Sequence, residues 1–525
     1  MSLQTFLHNL HFDVEKANQP NWIVDWEDAP LPYKLYKDLP TIPLSLDVPL
    51  TLVEQEINKN PDLNEIGYFL WYVYGLTQIS QTAIPSGSIE SVEMMQSNRR
   101  FVPSGGALYP SELYVYLKSD QFSSGIYHYD VARHCLVLLR EGNFDSYVSR
   151  ALGNQCDVTK CFGTIFVSIM FWKNFFKYNN FSYRLQGLDS GVLIGQILEM
   201  AKRFGFKAGV YYQFLDQALN HLLGLRERDE SIYGVVPMSI DKSSLFANEH
   251  NKSEVYTTTD LIQELPVISH RYLVTSKKVL EYPMLRKMTK VSMNESTNTF
   301  RKVDKKVDKE RFEKQRITLP DVSRLSYDLA LVSKERFSPE MDFSFQPVNK
   351  IQLAKLLYEA TASFSYLNDL DENDPKNKNR PKLYFCLNNV EGIADGAYCY
   401  DEKTHSLIPI NLGNYRLQLQ NGMNAANINL FQVPICLHVV GNKEHLKSTH
   451  SYRGYRIQQM ESGMMVQHLL IAATALGLGG HPLLGFDVKL CDEIYKLDEI
   501  GKTSLIQIPI GPYRRRPWLL GGLHS

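Results

Sequence analysis

YRLQGLDSGVLIGQILEMAKRFGF, residues 183–206, aligns without a gap on YRIQQMESGMMVQHLLIAATALGL, residues 455–478. Extended to Leu225 and Leu497, the match gives roughly ten identities in about forty positions, too long a self-match for chance. Outward at nearly the same offset, LYVYL from Leu113 meets LYFCL from Leu383, and GIYHYDVARHCL from Gly125 meets GAYCYDEKTHSL from Gly396. A period of about 270 residues is far longer than a solenoid repeat, so each copy is a domain with its own core. The expectation is a two-lobed, pseudo-symmetric molecule: a first copy over 1–240, a polar connecting region over 241–322 and a second copy over 323–525.

Within each copy the pattern is mixed. Apolar residues at helical spacing run over 189–204 and 461–476, each run ended by a glycine, Gly205 or Gly477. Short β-rich runs (ELYVYL, GTIFVSIMFW, KLYFCL, VPICLHVV, SLIQIPIG) read as strands bounded by turns such as NVEG and DEKT. The class is α+β, with helices packed on a mostly antiparallel sheet. The run RKVDKKVDKERFEKQR from Arg301 reads as a solvated helix face, and LNDLDENDPKNKNRP from Leu367 as a loop.

Composition narrows the function. The 525 residues carry 56 Lys+Arg against 57 Asp+Glu, a net charge of −1, with 44% hydrophobic and 22% charged residues. That is globular composition with no global field for a polyanion, and no apolar run is long enough for a membrane span. Nucleic acid and bilayer are therefore poor partners. The seven cysteines (135, 156, 161, 386, 399, 436, 491) lack zinc spacing, so no metal site is expected and they read as reduced core thiols. The opening MSLQTFLHNLHFDVEKANQPNW has acids and amides where a signal peptide has a basic start, which predicts a cytoplasmic protein.

Four stretches could carry chemistry. In RRFVPSGGALYPSELYVYL from Arg99, residues Pro103, Ser104, Gly105 and Gly106 combine a fixed φ, a hydroxyl and two positions without bulk. That suits backbone amides approaching a planar or anionic ligand, and equally a tight turn into a strand. ALGLGGHPLLGF from Ala475 places Gly477, Leu478, Gly479 and Gly480 after a long helix, where the first copy has Gly205 followed by Phe206, Lys207 and Ala208. IPIGPYRRRPW from Ile508 ends in Arg514, Arg515 and Arg516, which can grip phosphate or simply be solvated. KYNNFSYR from Lys177 sets an ammonium beside the Tyr178 phenol. If the two side chains converge in a dry pocket at a turn or helix end, Lys177 could lower the Tyr178 pKa and make it a base; the alternative is a surface pair.

Together PSGGALYPSELYVYL, GIYHYD, KYNNFSYR, ALGLGGHPLLGF and GPYRRRP, with PYKLYKDLP from Pro32, resemble the SagB-type dehydrogenases of the nitroreductase superfamily. These are flavin enzymes of azole peptide biosynthesis, and the resemblance spans nearly the whole chain, once per copy. It implies two tandem nitroreductase-like domains, each a central sheet flanked by helices, forming an intramolecular pseudo-dimer with FMN at the interface between them. It also implies complementary losses. The proline-serine loop survives only in the first copy, as Pro103 to Gly106. The family's Arg-x-Ser flavin contact, glycine-rich loop and terminal basic residues survive only in the second, as Arg336 and Ser338 in RFSPEMDF, Gly477 to Gly480, and Arg514 to Arg516. One composite FMN site follows, with its mirror image dead. Glu340 departs from the family, which usually has a basic residue two places after the serine.

The same resemblance implies a reaction: oxidation of thiazoline or oxazoline rings in a ribosomally made peptide. Lys177 and Tyr178 match a catalytic pair, and amides of Gly479 and Gly480 would steady the flavin. The implied partners are an azoline-containing precursor peptide and a YcaO-type cyclodehydratase complex; a higher oligomer beyond the pseudo-dimer stays open. The competing readings are a general NAD(P)H-dependent nitro- or quinone reductase and a non-catalytic flavin-binding scaffold.

Overall fold

The computed structural model describes residues 1–53, 60–85, 92–246, 254–303, 316–371 and 380–515, with backbone only at 82–85 and 92–95. Two sheets built to one plan carry the repeat. The first has strands in the order Thr41–Pro43, Cys135–Glu141, Gly125–Asp130, Ser111–Leu117, Gly163–Met170, Glu230–Ser239, Lys207–Val210 and Leu367–Asn368. The second runs Ile317–Thr318, Ser406–Leu412, Gly396–Asp401, Lys382–Leu387, Ile435–Asn442, Lys502–Gly511 and Gly479–Gly480. Strand for strand the orders correspond, and all pairs are antiparallel except Leu367–Asn368, which runs parallel to Lys207–Val210. The molecule is α+β with two tandem domains, as the repeat predicts. A separate hairpin, Leu76–Pro85 with Val92–Arg100, stands off the first sheet.

The apolar runs become two central helices, Ser182–Arg203 and Arg453–Ala475. Both begin a turn or more before the apolar periodicity does, because their first turns bury polar side chains: Arg184 and Gln186 in one, Arg456, Gln458 and Gln459 in the other. Past each end a glycine takes a left-handed φ, 71° at Gly205 and 74° at Gly477, as a helix C-terminus favours. Strand Ser111–Leu117 is buried at every position because both faces of the sheet are covered.

The two central helices pack on each other about a pseudo-two-fold axis. Tyr183 stacks on its repeat equivalent Tyr455, with ring centroids 5.9 Å apart and planes 11° off parallel. The paired arginines reach across in opposite directions: Arg184 donates to the Leu505 carbonyl of the second copy, and Arg456 to Asp216 of the first at 3.1 Å. This reciprocity is that of an isologous dimer interface, built within one chain.

Two stretches cross between copies. Leu367–Asn368, at the start of the stretch expected to be a loop, is an edge strand of the first sheet, a pairing that local sequence cannot reveal because its partner lies about 160 residues away. Residues 254–300 lie along the first copy: Tyr272 bridges to Tyr36, Glu264 pairs with Arg150, and helix Pro283–Val291 buries Leu285 and Met288. All seven cysteines are buried and free. Among the described residues no helix is long and apolar enough to cross a membrane.

Candidate functional site

The loop Pro103–Gly106 leaves the hairpin and enters strand Ser111–Leu117. It is held from below by Asp189 on the first central helix: the Ser104 hydroxyl donates to one carboxylate oxygen at 2.6 Å and the Gly105 N–H to the other at 3.2 Å. Ser104 Oγ in turn accepts the Tyr109 N–H at 3.0 Å. Burial pushes the Asp189 carboxyl up to about 6 against the pull of those two hydrogen bonds. Gly106, Ala107 and Tyr109 all have left-handed φ (65°, 56° and 48°), and for the two non-glycines this is strain of the kind that collects at functional loops.

The structure brings Lys177 and Tyr178 to this loop. Both lie in the last turn of helix Trp172–Tyr178, which Asn179 breaks with φ 53° and ψ −141°. A Cβ on Gly106 would meet the Tyr178 hydroxyl first and would stand 2.9 Å from Lys177 Nζ, so only glycine leaves room for the two side chains to converge. Lys177 Nζ lies 5.0 Å from the Tyr178 ring and 5.1 Å from the Trp26 ring. The electrostatics correct one expectation. Tyr178 is not lowered by its neighbour; burial pushes the phenol up to about 12 and Asp189 acts in the same direction. Burial lowers the Lys177 ammonium. Both groups are held toward their neutral forms.

The second copy completes the wall. Arg336, only 5% exposed, donates from Nε to the Phe101 carbonyl at 3.2 Å, two residues before Pro103, and from Nη1 to Ser338 Oγ at 3.4 Å. Arg99 of the first copy donates back to the carbonyls of Arg336 and Lys334. Among the described residues neither guanidinium pairs with a carboxylate, and burial together with Arg99 lowers Arg336 to about 10. Gly479, paired with Gly511, packs where a Cβ would strike Pro339 and Tyr513, and Tyr513 stacks on Phe337 at 5.7 Å. Gly480 faces Leu470, Leu478 is buried, and Gly477 turns the chain in open space.

The remaining candidates lie farther out. The Arg514 N–H bonds the Asp342 carbonyl at 2.9 Å, the exposed Arg515 pairs with Glu335 at 3.4 Å, and Arg516 lies outside the described residues. Glu340 is exposed. Sequence reasoning missed Asp189 and Arg99. The signal for Asp189 was present in the repeat itself, which keeps an acid at this one position of both long helices, as Asp189 or Glu461.

The mirror-related place is built differently. Glu461, the equivalent of Asp189, receives the Arg380 guanidinium and the Tyr366 hydroxyl, the latter at 2.8 Å, while Arg380 also grips Asp371. Thr449 and His450 end helix Lys447–His450 with the same backbone break, Ser451 having φ 49° and ψ −136°. Thr449 Oγ1 lies 2.8 Å from His450 Nδ1, and His450 Nε2 lies 3.2 Å from the Arg301 carbonyl. Glu461, the counterpart of the acid that holds the first-copy loop, is thus taken by an internal ion pair.

Comparison with known proteins follows the same division. The Nitroreductase family model matches residues 67–239 and again 335–511. Among curated relatives, MJ1384 of Methanocaldococcus jannaschii, provisionally named a nitroreductase, is 25% identical over 205 residues, 37% of this chain and 95% of that protein. The microcin B17-processing protein McbC of Escherichia coli is 27% identical over 174 residues, 28% of this chain, and the match spans 64% of McbC. A crystal structure from Anabaena variabilis, also provisionally named a nitroreductase, superposes with a TM-score of 0.74 at 21% identity. It covers 98% of this chain and 99% of that one, so the whole tandem architecture recurs there.

Proposed function

The chain belongs to the nitroreductase family, and from that premise we propose that it oxidises thiazoline or oxazoline rings of a peptide to thiazoles or oxazoles at one composite site between its copies. One observation carries the reading: Lys177 and Tyr178 converge on Gly106 of the first-copy loop, whose neighbour Phe101 is held by Arg336 of the second. The likeness to a microcin-processing protein supports a peptide substrate.

The residues present fit FMN. The half-buried Arg99 and the buried Arg336 meet no carboxylate among the described residues, which suits an anionic or carbonyl-bearing group, and Ser338 adds a hydroxyl. Gly477 turns the chain in open space beside the buried Gly479 and Gly480, and Arg514 and Arg515 follow the end of the adjoining strand Lys502–Gly511. Bound there, FMN supplies the two-electron acceptance that ring oxidation requires.

The protein's own part is proton handling and positioning. Aromatising the ring removes a proton beside a carbonyl as well as a hydride equivalent. Lys177, biased toward the free amine, takes that proton on Nζ, and Tyr178, kept protonated, donates a hydrogen bond from its hydroxyl. This reverses the roles that the sequence suggested. Asp189 fixes the loop against which both groups stand. A YcaO-type cyclodehydratase would supply the ring-bearing peptide. Incubating the FMN-loaded protein with a thiazoline peptide under oxygen should remove two hydrogens per ring, read by mass spectrometry. Intact rings, together with NAD(P)H-driven quinone reduction, would replace this reading with the general reductase.

A further inference from the structure

We infer that the connecting region builds a docking groove for an acidic peptide segment anchored by a bulky apolar side chain, on the flank of the peptide whose ring reaches Lys177. The inference rests on the peptide-oxidation reading above. Residues 272–286 close a cavity of about 390 Å³ against residues 30–34, the loop 226–229 and Trp172 at the start of the helix that carries Lys177. Its apolar lining is left bare: Val274 is 52% exposed and Val279 47%. Exposed apolar surface grouped in a cavity marks a binding site more than scattered surface residues do.

Charge decides what it binds. The deep cations Lys34 and Lys173 are consumed by buried Glu230 and Glu112. Arg226, Arg228 and Arg286 stand at the rim with about half or more of each side chain in solvent; Arg226 and Arg228 share Asp229 and Arg286 pairs with Glu281, three cations against two acids. The segment around them, HRYLVTSKKVLEYPMLRKMTKV (270–291), has six Lys and Arg against one acid in a chain whose net charge is −1. A local positive field over an apolar floor is complementary to an acidic segment with a large apolar anchor.

A chain of aromatic contacts links the cavity wall to the reactive pair. The Trp172 ring lies 6.4 Å from Phe176, Phe176 lies 5.5 Å from the exposed Trp26, and Trp26 is 5.1 Å from Lys177 Nζ. Five helical residues span about 7.5 Å. An extended peptide advancing about 3.3 Å per residue would therefore seat its anchor roughly two to four residues from the ring.

The test is fluorescence anisotropy on the full chain with two labelled peptides, Glu-Glu-Leu-Phe-Glu-Glu and its lysine counterpart. The acidic peptide should bind at least about tenfold more tightly, and its affinity should fall as salt rises. Arg228→Glu with Arg286→Glu should reverse the preference, a gain of lysine-peptide binding that a misfolded variant could not show. Equal binding of both peptides, an unchanged preference in the double variant, or displacement by NADPH but not by unlabelled acidic peptide would overturn the groove. Oxidation of a short azoline by wild type without acidic-peptide binding overturns the groove alone. Acidic-peptide binding without oxidation overturns the function and leaves the groove standing.

Discussion

Gly191 rests against the backbone carbonyl of Met460, with no room for a Cβ between them. The repeat equivalents, Gly463 and Leu188, make the same contact in the opposite sense. The crossing of the central helices, and with it the placement of Arg336 against the first-copy loop, therefore depends on two glycines. A methyl at either cannot be absorbed by a flexible side chain, because backbone stands opposite it. Gly191→Ala should cost about 3 kcal/mol, the upper part of the usual overpacking range, and should weaken flavin retention with it. Gly477→Ala, strained only by its φ of 74° with nothing within 4 Å, should cost about 1 kcal/mol. Denaturant melts of the two variants measure the difference.

Asp189 makes stability fall as pH rises. Its carboxyl is pushed up to about 6 in the fold from an ordinary 3.8, so between those values the folded chain holds a proton that the unfolded chain has lost. The contribution is present below about pH 4 and is lost as pH rises through about 6, at most about 3 kcal/mol. Asp369 and Asp492, also raised to about 6 by burial, push the same way. The buried His438, His450 and His468, lowered to about 4, act in the opposite sense over the same range, so the Asp189 contribution is read as a difference: the melting temperature of Asp189→Asn relative to wild type should rise from pH 4 to 6.5. An unchanged slope in Asp189→Asn would show that its carboxyl is not raised.

If Lys177 is the proton acceptor, oxidation should rise with pH along a limb lying below the ordinary lysine range, and no falling limb from Tyr178 should appear until near pH 12. Lys177→Ala should abolish turnover while keeping flavin. Tyr178→Phe should lower kcat by about 10² to 10⁴, the usual span for a positioned acid or base, and leave the rising limb in place. A rising limb that vanished in Tyr178→Phe would restore tyrosine as the base.

Much of this was legible in the sequence, for physical reasons that differ by element. The repeat and the burial of both long helices followed from periodicity, and glycines 205 and 477 marked their ends. The helix starts were not legible, since the apolar spacing begins only after Arg184 and Arg456, whose burial depends on partners in the opposite copy. Arg99 was hidden in the same way: an arginine at the end of a hairpin acquires meaning only beside Arg336, far along the chain. The convergence of Lys177 and Tyr178 depended on the φ of Asn179, which no pattern of side chains announces. The direction of the Tyr178 shift was misread because charge proximity is visible in sequence and burial is not.

Flavin stoichiometry tests the asymmetry of the two copies. The first-copy loop and second-copy arginine form one wall where Arg99 and Arg336 meet no carboxylate among the described residues, whereas at the mirror place Glu461 is taken by Arg380. Purified protein should hold one FMN per chain. Arg336→Ala should weaken FMN on the order of a hundredfold, because a desolvated cation that meets an anion is worth several kcal/mol to its partner. Opening the mirror place needs both ion-pair members removed, since Arg380 alone would leave a buried carboxylate unpaired. Arg380→Met with Glu461→Gln should therefore fold and still hold a single flavin, because the sequence there, NDPKNKNRP, has no counterpart of the Ser-Gly-Gly stretch. Two flavins per chain, in wild type or in this double variant, would mean that the second copy keeps a working site.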